Sequence, residues 1–188
     1  MASRMIHHAF FGASLIAAIS VPALGTQTLS AMVSPPADRP QATASLLAAD
    51  GSARGTVTLV QTSDGVDIAV KASGLAPGTH GIHIHTVGSC TPPDFASAGA
   101  HWNPTMHQHG VNNPEGPHRG DMPNLIVDAK GIGTMDFSIA RATLKGGDAP
   151  LLDADGAAVV MHAGPDDMRT DPSGNSGGRE ACGVITAQ

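Results

Sequence analysis

Residues 41–73 read QATASLLAADGSARGTVTLVQTSDGVDIAVKAS. Three apolar and β-branched runs are parted by Asp50-Gly51 and Asp64-Gly65, both hairpin signals. The same grammar continues along the chain. GTHGIHIHTVG at 78–88 is a further strand, and NLIVDAKGIGTMDFSIA at 124–140 reads as two strands joined at Ala129–Gly131. AAVVMHAG at 157–164 is a buried strand, and ACGVITA at 181–187 closes the chain as another. No segment of useful length in this region has the 3.6-residue period of a helix. Short strands at regular spacing predict an all-β domain over residues 41–188, an antiparallel sandwich or Greek-key barrel of about eight strands.

Composition agrees. The chain is 41% hydrophobic but only 3% aromatic, with no Tyr, so the core rests on Val, Ile, Leu and Ala. The 23 glycines and 14 prolines fit many turns and few helices. A formal net charge of -6 disfavours nucleic acid as a partner, because phosphate neutralisation needs a basic face.

The first 40 residues stand apart. Arg4 precedes the apolar run AFFGASLIAAISVPALG, which Pro22 breaks and which is short for a membrane span. This layout is a secretory signal over residues 1–25, followed by a flexible lead-in over 26–40. The expectation is export to the periplasm or beyond, with no membrane attachment after cleavage. Cys90 and Cys182 are the only cysteines. In an exported protein they are expected to be joined, closing a loop of roughly 90 residues that is worth about 4 kcal/mol.

Two connections are far longer than ordinary ones: Ser89–Met122 and Gly164–Gly178. Such loops are usually functional when ordered. The first contains HWNPTMHQHGVNNPEGPHRGD at 101–121, with His101, His109, His118 and Asp121. Backbone ordering costs roughly 1–2 kcal/mol per residue, so a loop this polar needs a ligand to hold it. A divalent ion can supply that energy. Three imidazoles and one carboxylate form a closed tetrahedral set suited to structural Zn²⁺. On the strand at 82–85, His83 and His85 share one face and Ile82 and Ile84 the other. His162 ends a buried strand. These three plus one loop histidine make an all-nitrogen set, which suits Cu(II).

The segments GIHIH, GAHWNP, HGVNNPEGPHRGDMPNL, VVMHAGPDD and GGREACGVI resemble the copper/zinc superoxide dismutases, most closely the bacterial exported type. The resemblance covers residues 41–188. It implies a Greek-key β-barrel holding one copper and one zinc per chain, with superoxide as substrate. His83, His85, His101 and His162 match the copper ligands; His101, His109, His118 and Asp121 match the zinc ligands. His101 would then bridge the two ions. Asp166 matches the carboxylate linking one histidine of each set, and Arg179 the guanidinium beside the copper. Cys90 and Cys182 match the family disulfide. The family includes monomers and dimers, so a homodimer is compatible with the sequence.

Some residues depart from the pattern. His107 and His80 read as extra, both expected exposed, His107 in the loop and His80 at a strand start. Trp102 stands where an aromatic of another type is usual, and it is expected to pack. The loop 163–178 has no Lys, leaving Arg119 and Arg169 as the candidates for drawing an anion inward. The alternative function is an exported copper- and zinc-binding protein without dismutase activity. A zinc hydrolase is disfavoured, because four protein ligands leave zinc no open position.

Overall fold

The computed structural model describes residues 39–188. The signal over 1–25 and the lead-in as far as residue 38 lie outside the described residues. Among the described residues no helix is long and apolar enough to cross a membrane.

Three strands form the first meander: β1 (Gln41–Ala48), β2 (Ala53–Gln61) and β3 (Gly65–Ser73). Each alternates. Ala42, Ala44 and Leu46, then Val57 and Leu59, then Val66, Ile68, Val70 and Ala72 point inward and are buried. This period of two is the sequence's own, and it fixes the register, because a one-residue slip would turn the core outward. With aliphatic side chains worth about 1.5–3 kcal/mol each on burial, the core needs no aromatic centre.

The chain then crosses to β4 (Gly78–His80) and β5 (Ile82–His85). The hairpin β6 (Leu125–Val127) and β7 (Ile132–Ala140) returns to lie against β3. A second hairpin, β8 (Ala158–His162) and β9 (Arg179–Val184), pairs β9 with β1 and β8 with β5. The terminal β10 (Thr186–Ala187) also pairs with β1. All these pairings are antiparallel, and the strand order is β4-β6-β7-β3-β2-β1-β9-β8-β5. The two ends of that order, β4 and β5, are separated by Gly81 alone. One extended run thus belongs to both margins of the sheet, and a nearly closed Greek-key barrel results.

Among the described residues, ten strands replace the expected eight. The run 78–85 is split at Gly81, where the chain passes from one margin to the other. The final run is split at Ile185: β9 pairs with β1 at Leu47 and Ala48, and β10 pairs with it again at Ala42 and Thr43. Among the described residues the only helical element is a 3-10 turn at Ala96–Ala98.

The long loop 86–124 is built onto the barrel wall. Ile84 N donates to Gly120 O at 2.9 Å, and Trp102 N donates to Ile84 O at 2.8 Å. Gly120 N closes the triangle on Trp102 O at 2.8 Å. The loop therefore satisfies the edge of β5 that β8 does not. A Cβ at Gly120 would strike Ile84 O, so this close approach requires glycine. Trp102 packs into the main core as expected.

Candidate metal centre

β5 delivers His83 and His85, the end of β8 delivers His162, and the loop delivers His101, His109, His118 and Asp121. All are buried. His83, His85, His101 and His162 each bring one ligand atom within 4.8 Å of the others, and so do His101, His109, His118 and Asp121. His101 belongs to both groups. The structure thus gathers the residues expected for copper into one cluster and those expected for zinc into an adjoining one.

The ring nitrogens divide cleanly. His83 Nδ1, His85 Nε2, His101 Nε2 and His162 Nε2 are buried with no hydrogen-bond partner, and His109 Nδ1, 3.0 Å from Asp121 Oδ1, makes no well-directed hydrogen bond. The opposite nitrogens are held. His83 Nε2 lies 2.7 Å from Asp166 Oδ2, and His109 Nε2 lies 3.0 Å from Asp166 Oδ1. His85 Nδ1 bonds Gly99 O at 2.9 Å, and His162 Nδ1 bonds Gly177 O at 3.2 Å. An imidazole fixed at one nitrogen and bare at the other, in a dry site, is the arrangement a metal ligand needs. Left unfilled, each bare nitrogen costs about 1–3 kcal/mol of desolvation.

The second cluster converges on one oxygen. Asp121 Oδ1 lies 2.8 Å from His101 Nδ1, 3.0 Å from His109 Nδ1 and 3.2 Å from His118 Nδ1. Asp121 Oδ2 is held by the backbone N–H groups of Gly110 and His118 at 2.9 and 3.0 Å. Three nitrogens and an oxygen around one point form a set suited to zinc.

Protonation follows from burial. Loss of solvent, reinforced by neighbouring histidines, lowers His83 and His162 to about 4 and His85 to about 2. Burial also lowers His101, against the pull of Asp121. These four imidazoles are neutral at pH 7 and can donate lone pairs. Burial opposes charge on His109 too, but Asp121 and Asp166 overcome it and push it up to about 9. Burial would raise both carboxyls, yet their hydrogen bonds from histidines and backbone N–H groups hold Asp121 and Asp166 well below the usual range.

Asp166 is itself pinned. Its backbone N–H donates to Asn124 Oδ1 at 2.9 Å, and its carbonyl accepts from Asn124 Nδ2 at 2.8 Å. Gly174, at φ 64°, packs against it so closely that a Cβ would overlap the carboxylate. Neither Asn124 nor Gly174 carries a sequence signal of this role. Nor do the carbonyls of Gly99 and Gly177, which any residue could offer.

A pocket of about 470 Å³ opens beside the first cluster, lined by His85, His101, His162, Ser173, Gly177 and Arg179 among others. Arg179 is half-buried, and its guanidinium donates to Phe95 O at 2.6 Å and Gly99 O at 2.7 Å. Arg179 is the one cationic side chain in the lining; neither Arg119 nor Arg169 reaches it. Cys90 and Cys182 are bonded, with Cα atoms 5.7 Å apart. The bridge ties the segment carrying Phe95 and Gly99 to β9, over a small cluster of Phe95, Ala98, Ala158, Val160 and Cys182.

His107 is exposed, as expected. His80 is not: it is 3% exposed. It ends β4 instead of starting exposed, and its ring tucks under the seam at Gly81. There Nδ1 lies 2.8 Å from His162 O and Nε2 lies 2.9 Å from Ala76 O. Strand periodicity gave no warning, because the seam brings β4 against the end of β8.

Residues 53–185 match the family model for copper/zinc superoxide dismutase. The chain belongs to the copper/zinc superoxide dismutase family. A superoxide dismutase [Cu-Zn] of Aquifex aeolicus is 47% identical over 137 residues, 72% of this chain and 81% of that protein. One from Caulobacter vibrioides is 44% identical over 147 residues, 77% and 84% of the two chains. A superoxide dismutase-like protein of Bacillus subtilis is 44% identical over 139 residues, 72% and 71% of the two. A crystal structure of a SOD-like protein from that organism has a TM-score of 0.72 at 41% identity, covering 76% of this chain and 96% of its own. A double mutant of it, in which a tyrosine and a proline become histidine, scores 0.73 at 43% identity. This family member has all six histidines of the two clusters in its own sequence.

Proposed function

We propose that this chain is an exported superoxide dismutase holding one copper and one zinc. The observation that carries this reading is the set of four bare, buried ring nitrogens on His83, His85, His101 and His162, beside a pocket whose cation is Arg179. Family membership at up to 47% identity supports it.

His83, His85, His101 and His162 would hold copper, and His101, His109, His118 and Asp121 would hold zinc. The donor chemistry fits, being all nitrogen in the first set and three nitrogens with one oxygen in the second. Copper, when bound, alternates between cupric and cuprous states and so supplies the electron exchange by which two superoxide anions and two protons become O₂ and H₂O₂.

The chain's own residues do the rest. Arg179 presents a permanent positive charge and a planar donor fork to a small anion. Its two carbonyl anchors keep the guanidinium at the wall of the pocket. His101, shared by both sets, can hold or yield a proton at Nε2, the atom facing the pocket-side cluster. Peroxide formation consumes such a proton. Asp166 holds His83 and His109 by their far nitrogens, and so couples the geometry of one set to the other. The backbone carbonyls of Gly99 and Gly177 fix the tautomers of His85 and His162.

The signal-like segment at 1–25 and the disulfide support an exported location, where superoxide made outside the cytoplasm would be met.

The test is direct optical measurement of superoxide decay with the mature protein, before and after loading with copper and zinc. Decay that accelerates only with copper is the expected result. No acceleration with one copper and one zinc bound per chain would overturn it. The reading would then pass to a copper-holding protein, an alternative that the relative called superoxide dismutase-like keeps in view.

A further inference from the structure

On the outer side of the second cluster, where His118 and Asp121 reach the surface of the loop, two arginines line one groove. Arg119 lies in the long loop between His118 and Asp121, and Arg141 follows β7 on the barrel. Both line a groove of about 300 Å³ with His107, Val111, Phe137 and Ile139.

The Arg119 guanidinium is anchored, and Arg141 is exposed on a fixed turn of backbone. Arg119 is half-buried, donates to Ala140 O and lies 5.9 Å from the centre of the Trp102 ring. Those contacts hold the charge in place. Arg141 has a left-handed backbone, φ 58°, and its N–H donates to Asp64 O at 2.6 Å. A non-glycine residue pays for that conformation with strain. Among the described residues, no carboxylate pairs with either arginine.

We propose that the groove between Arg119 and Arg141 is an oxyanion site, taking a phosphate or carboxylate group on the two guanidinium forks. Such groups accept paired N–H donors in the geometry a guanidinium offers. The floor of Val111, Phe137 and Ile139 favours an occupant with a small apolar body. Because Arg119 belongs to the metal-bearing loop and Arg141 to the barrel, a bound oxyanion joins the two. It would therefore stabilise the loop that carries His109, His118 and Asp121. This site uses none of the pocket at Arg179, though its wall reaches His118 and Asp121.

The test uses the copper- and zinc-loaded mature protein. The thermal midpoint is followed against inorganic phosphate at constant ionic strength, and against phenyl phosphate in a second series. The expected result is a saturable rise, because a ligand that binds only the folded state stabilises it by mass action. In Arg141→Gln, half-saturation should weaken about tenfold, the loss of one charge-assisted hydrogen-bonding partner. Arg141 is exposed, so this variant is expected to fold even where Arg119→Gln does not. Phenyl phosphate should half-saturate at lower concentration if the apolar floor takes part. Equal half-saturation would keep the oxyanion site for inorganic phosphate alone. A rise that does not saturate, or one unchanged in Arg141→Gln, would overturn the proposal. So would a rise abolished by Arg179→Gln, which would assign the phosphate to the other pocket.

Discussion

His85 and Arg179 bond to the same carbonyl oxygen, that of Gly99, at 2.9 and 2.7 Å. One backbone atom thus sets both a candidate copper ligand and the pocket's only cationic side chain. Replacing Arg179 with Ala is expected to lower kcat/KM for superoxide about tenfold or more, with copper and zinc content unchanged. Arg179→Lys should recover only part of this, because an ammonium cannot serve both carbonyls and the anion as a planar fork does. Stopped-flow decay with metal analysis on the same samples checks both. Metal loss in Arg179→Ala would reassign the residue to ligand positioning.

Asp166 is the carboxylate that touches both clusters. Asp166→Asn removes one of the two acceptors facing His83 and His109. It is expected to weaken affinity for both metals about 10- to 100-fold. Competition against chelators of known affinity, run separately for copper and zinc, measures this. A loss confined to one metal would contradict the coupling. Gly174→Ala should act in the same direction, because its Cβ would push on the same carboxylate.

Metal-free protein should be most stable near pH 6.5. His83 and His162 are lowered to about 4 and His85 to about 2, so below 6.5 the unfolded chain takes up protons first. Their contribution is therefore lost progressively as pH falls from 6.5. His109 is raised to about 9, so its contribution is full below 6.5 and is lost between 6.5 and 9. The acid side should fall more steeply, since four lowered imidazoles, His101 among them, act there against one raised. Urea midpoints across pH in the presence of a chelator test the shape. A flat profile between 4 and 6.5 would mean that the cluster is open to water without metal.

Reduction of Cys90–Cys182 should cost about 2–5 kcal/mol of stability. It should also slow superoxide decay before metal is lost, because the freed segment carries Phe95 O and Gly99 O, the anchors of Arg179. Denaturation midpoints and activity, with and without reductant, separate the two effects.

Among the described residues the pocket at Arg179 has no second cation, and neither Arg119 nor Arg169 lines it. Dismutation should therefore depend only weakly on ionic strength. A steep fall in rate as salt is added would show steering by charges beyond the pocket.

Most of the barrel could be read from the sequence, because strand period and Asp-Gly turns are local properties. Ala42, Ala44 and Leu46 declare their face within six residues. The loop residues of the candidate metal centre were legible for a different reason: histidines in a Gly- and Pro-rich loop have no folding purpose of their own. What could not be read was set by tertiary approach. The run 78–88 looked like one strand, and only closure of the sheet at Gly81 divides it. His80 looked exposed because its partners, His162 O and Ala76 O, are backbone atoms. Asn124 and Gly174 act solely through Asp166, and the facing of Arg119 to Arg141 depends on where the loop lands on the barrel.

The division of one run between both margins of the sheet has a consequence for the order of folding. Asp166 is 83 residues from His83 and 57 from His109, and Arg179 is 80 from Gly99. Contacts of such separation form only after long loops have closed, and their loop entropy must be met first. No hairpin or half-barrel holds four bare nitrogens together. Tight copper capture is then a terminal event, and a chain that retains copper against a chelator certifies that its barrel has closed.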